Sequence, residues 1–130
     1  MTGLVLVTHA GLAGALKASA EMIVGSIEAC ASVEVAPGEP ADVIMARVVS
    51  AVEAVSADGA IIMTDLFGGT PSNMAMSFLK EGRVEVLTGV NLPMIIDFCS
   101  KRERLPLAAL ADELQRCGRE GIIIAGAFLK

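Results

Sequence analysis

Aromatic residues are nearly absent from this chain of 130 residues, which has no Trp, no Tyr and only four Phe. The core must therefore be aliphatic, since hydrophobic residues still make up 54% of the sequence. Basic residues are also few, ten against fifteen acidic ones, which gives a net charge of −5. This balance argues against nucleic acid as a partner, because binding to a phosphate backbone depends on clustered Lys and Arg.

Cysteines and long apolar runs are scarce as well. Cys30, Cys99 and Cys117 are odd in number, far apart and without the CxxC spacing of a zinc site. They predict no disulfide framework and are typical of buried thiols in a reducing compartment. No apolar run reaches the ~20 residues needed to cross a bilayer, and residues 1–7 lack the basic start and the length of a signal peptide. We therefore expect a cytoplasmic protein in which residues 1–130 form one domain.

Short aliphatic runs alternate with longer segments of helical period. The runs are rich in β-branched residues and bounded by Gly, Pro or Asp, as strands are. They lie at residues 4–7, 33–35, 60–63, 84–87 and 122–125. Apolar residues recur at helical spacing over 12–23, 44–55 and 107–114. This alternation predicts an α/β domain with an open, mainly parallel sheet covered by helices on both faces.

Several residues indicate where helices begin and end. Pro40 and Pro106 suit helix starts, and Gly82 and Gly118 are candidate helix stops. Thr70 before Pro71 is typical of an N-cap followed by proline at the first helical position.

The order of the strands follows from how deeply each one is expected to be buried. The first and third runs are continuously apolar, as in central strands covered on both faces. The second and fourth contain a Val-Glu-Val alternation, which is typical of strands nearer an edge. The predicted order is therefore 2-1-3-4. In such a sheet the chain reverses direction between strands 1 and 3, and ligands bind in the crevice at their carboxyl ends.

The residues that follow strands 1 and 3 are therefore the candidates for chemistry. His9, the only histidine, follows the first strand, and Asp65 follows the third. A carboxylate beside one imidazole nitrogen fixes the tautomer of the ring and leaves the other nitrogen free to attack phosphorus. We interpret His9 and Asp65 as a catalytic pair.

A glycine-rich stretch after Asp65 leads into a helix whose amino end favours an anion. Gly68 and Gly69 let the backbone approach a phosphoryl group closely, and the Thr70 hydroxyl adds a donor, so we interpret these three residues as phosphate-binding. Each feature alone is also common in ordinary turns, and only their convergence on one crevice favours a site. Two ligands, His9 and Asp65, are too few for a structural metal site, and no dinucleotide or Walker motif is present. No metal or cofactor is expected.

Four motifs together resemble the mannose-family IIA components of the bacterial phosphoenolpyruvate-dependent sugar phosphotransferase system. They are Leu-Val-Thr-His at 6–9, Asp-Leu-Phe-Gly-Gly-Thr-Pro-Ser-Asn at 65–73, Gly-Val-Asn-Leu-Pro-Met at 89–94 and Gly-Arg-Glu-Gly at 118–121. The resemblance runs through the whole chain. It implies that His9 is phosphorylated, that Asp65 is its hydrogen-bonded partner and that Thr70 lies at the phosphate.

The resemblance also implies partners. Family members take a phosphoryl group from phospho-HPr and pass it to a histidine of a IIB domain, which phosphorylates the sugar during uptake through membrane subunits. Because the chain stops after its IIA-like part, we expect the IIB acceptor on a separate chain and membrane contact only through transporter subunits. A homodimer that exchanges an antiparallel C-terminal strand is implied too, and the apolar residues 122–128 fit that role.

Three further residues are expected to line the pocket, namely Thr8, Phe67 and Asn91. Phe67 precedes the double glycine at a position where Trp is also common in the family. Asn91 lies in the motif after strand 4, which we expect to line the same crevice.

Two other functions would use a related fold. A regulatory IIA-like module, in a phosphotransferase branch without a dedicated transporter, would share the same site and differ only in its acceptor. A response-regulator receiver is disfavoured, because strand 1 ends in Thr8 and His9 rather than in an acidic cluster.

Overall fold

The computed structural model describes all 130 residues, which form four strands and six helices. The strands are β1 (Gly3–His9), β2 (Cys30–Val35), β3 (Ala60–Thr64) and β4 (Val84–Thr88). The helices are α1 (Leu12–Val24), α2 (Ala41–Val55), α3 (Thr70–Met76), α4 (Leu92–Lys101), α5 (Leu107–Glu120) and α6 (Ala125–Phe128). None of these helices combines the length and the apolar character that a membrane span needs.

The four strands form one parallel sheet in the order β2-β1-β3-β4, which confirms the predicted order. The two central strands, β1 and β3, consist almost entirely of residues that solvent does not reach. Val7 of β1 pairs with Thr64 of β3, so both strands end at the same edge of the sheet. The residues that follow them therefore leave the sheet side by side.

Helices cover both faces of the sheet, as predicted. On one face, Leu4 and Leu6 of β1 share a core with α1, α4 and α5. On the other face, Val5 and Val7 share a core with α2 and α3. Because successive side chains of a strand point to opposite faces, the continuous apolar runs of the central strands supply both cores at once.

Helix α1 occupies the predicted segment but packs through its smallest side chains. Ala13 and Ala20 are fully buried against the sheet, whereas Leu12 and Ile23 remain 43% and 61% exposed. Small side chains at these positions let the helix lie close to the strands.

Three predicted helix boundaries are wrong by a few residues. Helix α3 already ends at Met76, and Gly82 lies in the turn before β4. Gly69 is the N-cap of α3, so Thr70 is already inside the helix. Gly118 does not stop α5, which continues to Glu120 and ends at Gly121. A Cβ on Gly118 would lie 2.7 Å from Cγ of Met94, so this glycine allows α5 to approach α4 closely.

The predicted strand at residues 122–125 is also wrong for the single chain. Residues 122–124 have no regular structure, and Ala125 begins the short helix α6. A strand is stable only where a neighbouring strand pairs with its backbone groups, and no strand of this chain pairs with these residues. The side chains of Ile122, Ile123 and Ile124 stay 78%, 60% and 77% exposed.

Candidate functional site

His9 and Asp65 meet at the carboxyl ends of β1 and β3. Oδ2 of Asp65 accepts two hydrogen bonds from His9, one from its backbone N–H at 3.0 Å and one from ring Nδ1 at 2.9 Å. Oδ1 accepts a third bond, at 3.1 Å, from the backbone N–H of Leu66. An ionised carboxylate can only accept hydrogen bonds, so the bond to Asp65 requires the ring proton on Nδ1. The neutral ring therefore has its free lone pair on Nε2.

The two partners differ in exposure and charge. The His9 side chain is 48% exposed, whereas that of Asp65 is only 12% exposed. Partial burial acts to raise the pKa of Asp65, but hydrogen bonds from the backbone and ring of His9 outweigh it and hold this pKa below its ordinary value. Asp65 is therefore a fixed anion at neutral pH, beside a ring that a partner molecule can reach.

The turn after His9 adopts an uncommon backbone conformation. Ala10 has a φ of +49°, in the left-handed region that costs roughly 1–2 kcal/mol for a residue with a Cβ. Its amide donates to the Val35 carbonyl at 2.9 Å, which ties the turn to β2. The strain lets the chain turn sharply from β1 into α1 directly after the histidine.

Thr8 was expected to line the pocket, but its side chain is fully buried. Its Oγ1 accepts a hydrogen bond from the Ala13 amide at 2.7 Å and donates one to the His9 carbonyl at 3.2 Å. Thr8 therefore anchors the first turn of α1 to the end of β1.

Gly69 packs against the His9 ring. A Cβ built on Gly69 would lie 2.9 Å from Cε1 and 3.2 Å from Nε2 of His9, so this approach requires glycine. The backbone amides of Gly69 and Thr70 donate to no acceptor within the chain. These unpaired donors belong to Gly69, which packs against the side of the ring that carries Nε2, and to its neighbour Thr70.

Gly68 shapes the turn before α3, and its amide is not a free donor. It has a φ of +96°, and its amide donates to Oγ of Ser72 at 2.9 Å. That hydroxyl in turn donates to the Gly69 carbonyl at 3.0 Å. Ser72 was not among the predicted site residues, although a serine three residues after Gly69 is where a hydroxyl can reach back to a helix start.

A cleft of about 400 Å³ opens beside His9. Thr70 lines it together with His9; the other lining residues are Ala10, Val35, Ala36, Pro37, Gly38, Glu39, Ala41 and Ile44. The loop of residues 36–39 was not predicted to take part. Glu39 closes it by accepting bonds from the Ala36 amide at 2.7 Å and from Arg47 at 2.5 Å.

Phe67 and Asn91 do not line this cleft, contrary to expectation. The Phe67 side chain is 71% exposed. Asn91 caps α4: its side chain accepts from the Met94 amide at 3.2 Å and donates to the Gly118 carbonyl at 2.8 Å. It lines a separate groove beside β4.

No three His, Cys, Asp or Glu side chains of the chain are grouped so that they could hold a metal ion.

Comparison with known proteins gives consistent matches over nearly the whole chain. Residues 3–115 match the family model described as PTS system fructose IIA component. The chain is 30% identical to the sorbose-specific EIIA component of Lacticaseibacillus casei, over 90% of this chain and 86% of that protein. It is 29% identical to the fructose-specific EIIA component of Bacillus subtilis, over 100% of this chain and 90% of that protein.

Solved structures show the same fold. The EIIA phosphotransferase component from Streptococcus agalactiae superposes with a TM-score of 0.88 at 23% identity, over 98% of this chain and 99% of that one. The mannose/sorbose specific IIA subunit from Enterococcus faecalis gives a TM-score of 0.83 at 26% identity, over 95% and 93% of the two chains.

Substitutions at the two neighbouring glycines test the contact with the ring. Gly69→Ala is expected to displace the half-exposed His9 ring, because the new Cβ would lie too close to two ring atoms. It is expected to cost roughly 0.5–1.5 kcal/mol, because alanine is a poorer N-cap than glycine. Since the chain has one histidine, its ring Cε1–H signal in a proton NMR spectrum is unambiguous, and this signal is expected to shift.

Gly68→Ala is the matched control. Its Cβ would meet no atom within 4 Å, but the positive φ is expected to cost about 1–3 kcal/mol in urea unfolding. The ring signal is expected to stay in place. An unshifted ring signal in Gly69→Ala would contradict the contact.

Proposed function

The chain belongs to the mannose-family IIA components of the sugar phosphotransferase system, and we propose that it is a phosphocarrier whose His9 is transiently phosphorylated. The observation that carries this proposal is the hydrogen bond between Asp65 and Nδ1 of His9 at 2.9 Å. It assigns the proton to Nδ1 and leaves Nε2 as the nucleophile. The half-exposed ring allows a second protein to bring its own phosphohistidine close.

The proposed transfer needs little covalent chemistry from the protein. The Nε2 lone pair of His9 attacks the phosphorus of phospho-HPr, and the bond between that phosphorus and the donor nitrogen breaks as the new bond forms. The electron pair returns to the donor histidine, and the proton on Nδ1 stays in place. Positive charge that develops on the His9 ring is stabilised by the Asp65 carboxylate.

The phosphoryl oxygens need hydrogen-bond donors during this transfer. Gly69 packs against the ring, Thr70 lines the same cleft, and the amides of both are unpaired. The Thr70 hydroxyl is available as well. Donors that are in place before the reaction stabilise developing charge without reorganisation. We assign these two residues to phosphate binding, whereas Gly68 acts only through the turn.

The acceptor completes the proposed reaction. His9 passes its phosphoryl group to a histidine of a IIB partner, and the membrane is involved only through the transporter subunits that IIB serves. In this proposal residues 1–130 act as one cytoplasmic IIA domain, a phosphotransferase.

Assembly is the second part of the proposal. The outer edge of β4 has no neighbouring strand, and a groove of about 370 Å³ beside it reaches Ile122. Residues 122–124 are apolar and exposed, and an unpaired edge strand invites association with another chain. We propose that each chain of a homodimer places this segment, as an antiparallel strand, on the β4 edge of its partner.

Labelling tests the phosphorylation of His9. After incubation with phospho-HPr, intact-mass analysis is expected to show one acid-labile phosphoryl group per chain, and none on His9→Ala. Full labelling of His9→Ala would overturn the assignment. A labelled chain that passes its group to no IIB protein would instead favour the regulatory IIA-like module.

Asp65→Asn tests the proposed role of the carboxylate. Asparagine keeps an oxygen for the His9 amide but loses the charge, so transfer from phospho-HPr is expected to slow by roughly 10²–10⁴-fold, as for other carboxylates that fix a tautomer. The control is Asp58→Asn, which removes an exposed carboxylate paired with the chain's amino terminus. Equal transfer rates in the two variants would show that Asp65 is only a turn residue.

The Asp65→Asn variant also tests how the free energy of unfolding depends on pH. Because the pKa of Asp65 is lowered in the folded protein, its charge stabilises the fold above the carboxyl pKa of the unfolded chain, about 3.9. This contribution is lost as the pH falls through the folded-state pKa. The difference in unfolding free energy between Asp65→Asn and the native chain is therefore expected to shrink below pH 4, in urea titrations at stepped pH.

Charge substitution tests the strand exchange. Ile124 is 77% exposed in the single chain, so Ile124→Asp is expected to leave the fold intact yet give monomers in sedimentation velocity, because a carboxylate would be buried in the dimer. Val43→Asp, at an exposed apolar residue of α2, is the control and is expected to stay dimeric. A native chain that sediments as a monomer at micromolar concentration would reject the exchange.

A further inference from the structure

Ser72 connects Gly68 and Gly69, of which Gly69 lies against the His9 ring. It is fully buried in the first turn of α3. Its Oγ accepts a hydrogen bond from the Gly68 amide at 2.9 Å and donates one to the Gly69 carbonyl at 3.0 Å. One hydroxyl therefore fixes the peptide groups on both sides of the turn.

The loop has few other constraints. Gly68 is exposed, has a positive φ and would carry a Cβ that meets nothing within 4 Å. Two adjacent glycines have more backbone freedom than any other pair of residues. The only other backbone bond in this turn joins the Asn73 amide to the Gly69 carbonyl at 3.0 Å. The Ser72 hydroxyl and the Asn73 amide thus both hold the Gly69 carbonyl, and Ser72 alone also holds the amide of Gly68.

We propose that Ser72 is a positioning residue for phosphoryl transfer at His9. By fixing the turn it holds Gly69 against Cε1 and Nε2 of the ring, and it occupies the Gly68 amide while the amides of Gly69 and Thr70 stay free for the phosphoryl group. This inference rests on the phosphocarrier function proposed above. Ser72 acts through Gly69 and makes no hydrogen bond to His9.

A purely structural serine is available in the same helix for comparison. Oγ of Ser77, at the C-terminal end of α3, donates to the Met74 carbonyl at 2.7 Å on the exposed surface. Ser77→Ala therefore removes the same atom and the same kind of bond to a backbone carbonyl as Ser72→Ala does. It leaves the glycine turn untouched.

Single-turnover transfer from phospho-HPr tests the proposal. Ser72→Ala is expected to lower the maximal rate by roughly 10- to 100-fold, since small misplacements at a reacting group have effects of this order. The phospho-HPr concentration at half-maximal rate is expected to stay unchanged, because a buried residue does not meet the donor. Ser77→Ala is expected to transfer at the native rate. A native maximal rate in Ser72→Ala would overturn the proposal, and so would a change only in the phospho-HPr concentration at half-maximal rate.

Two readouts do not depend on phosphoryl transfer. In Ser72→Ala the hydrogen-exchange protection of the Gly68 amide is expected to fall at least about tenfold, and the single histidine ring signal is expected to shift. Neither change is expected in Ser77→Ala. Ser72→Cys, which has a similar size but weaker hydrogen bonds, is expected to lie between the native chain and Ser72→Ala, and it replaces that variant if alanine prevents folding.

The possible failures are distinguishable. A native chain that accepts no phosphoryl group would overturn the proposed function, whatever the NMR spectra show. An unshifted His9 signal and a protected Gly68 amide in Ser72→Ala would overturn the positioning role, even if the native chain is phosphorylated at His9.

Discussion

The parallel pairing of two fully buried strands, β1 and β3, is the constraint on which the site depends. Helices on both faces require both strands to be apolar on both sides, and the register of Val7 with Thr64 ends them at one edge. Only then can one oxygen of Asp65 reach both the amide and the ring of His9. A slip of one residue would turn every side chain of a strand to the opposite face, so the core that stabilises the sheet also fixes the site.

The same constraint explains which parts of the fold could be predicted from the sequence. Burial on both faces produces continuous apolar runs, and these gave the strand order. Residues 122–125 have the composition of a strand, but strand formation depends on a partner that the composition does not contain. Likewise, either Gly118 or Gly121 could have ended α5, and the contact of Gly118 with Met94 is a tertiary one.

The residues of the candidate site likewise include some that the sequence predicts and some that it does not. The placement of His9, Asp65, Gly69 and Thr70 beside one another could be predicted, since parallel strands bring the residues after them to one crevice. Thr8 could have been assigned correctly as well, because strand alternation places it on the face of the sheet that α1 covers. The contacts of Ser72 could not be predicted, because they depend on the conformation of two glycines, which the sequence leaves open.

The free donors of Gly69 and Thr70 match what a carrier requires under the proposed function. They are backbone amides and a hydroxyl, which bind phosphoryl oxygens more weakly than cationic side chains do. A group held tightly in the ground state would resist onward transfer, so only stabilisation of the transition state helps a carrier. The charge of Asp65 acts on the ring rather than on the phosphoryl group, and the ring becomes positive whether that group arrives or leaves. One carboxylate can therefore assist transfer in both directions.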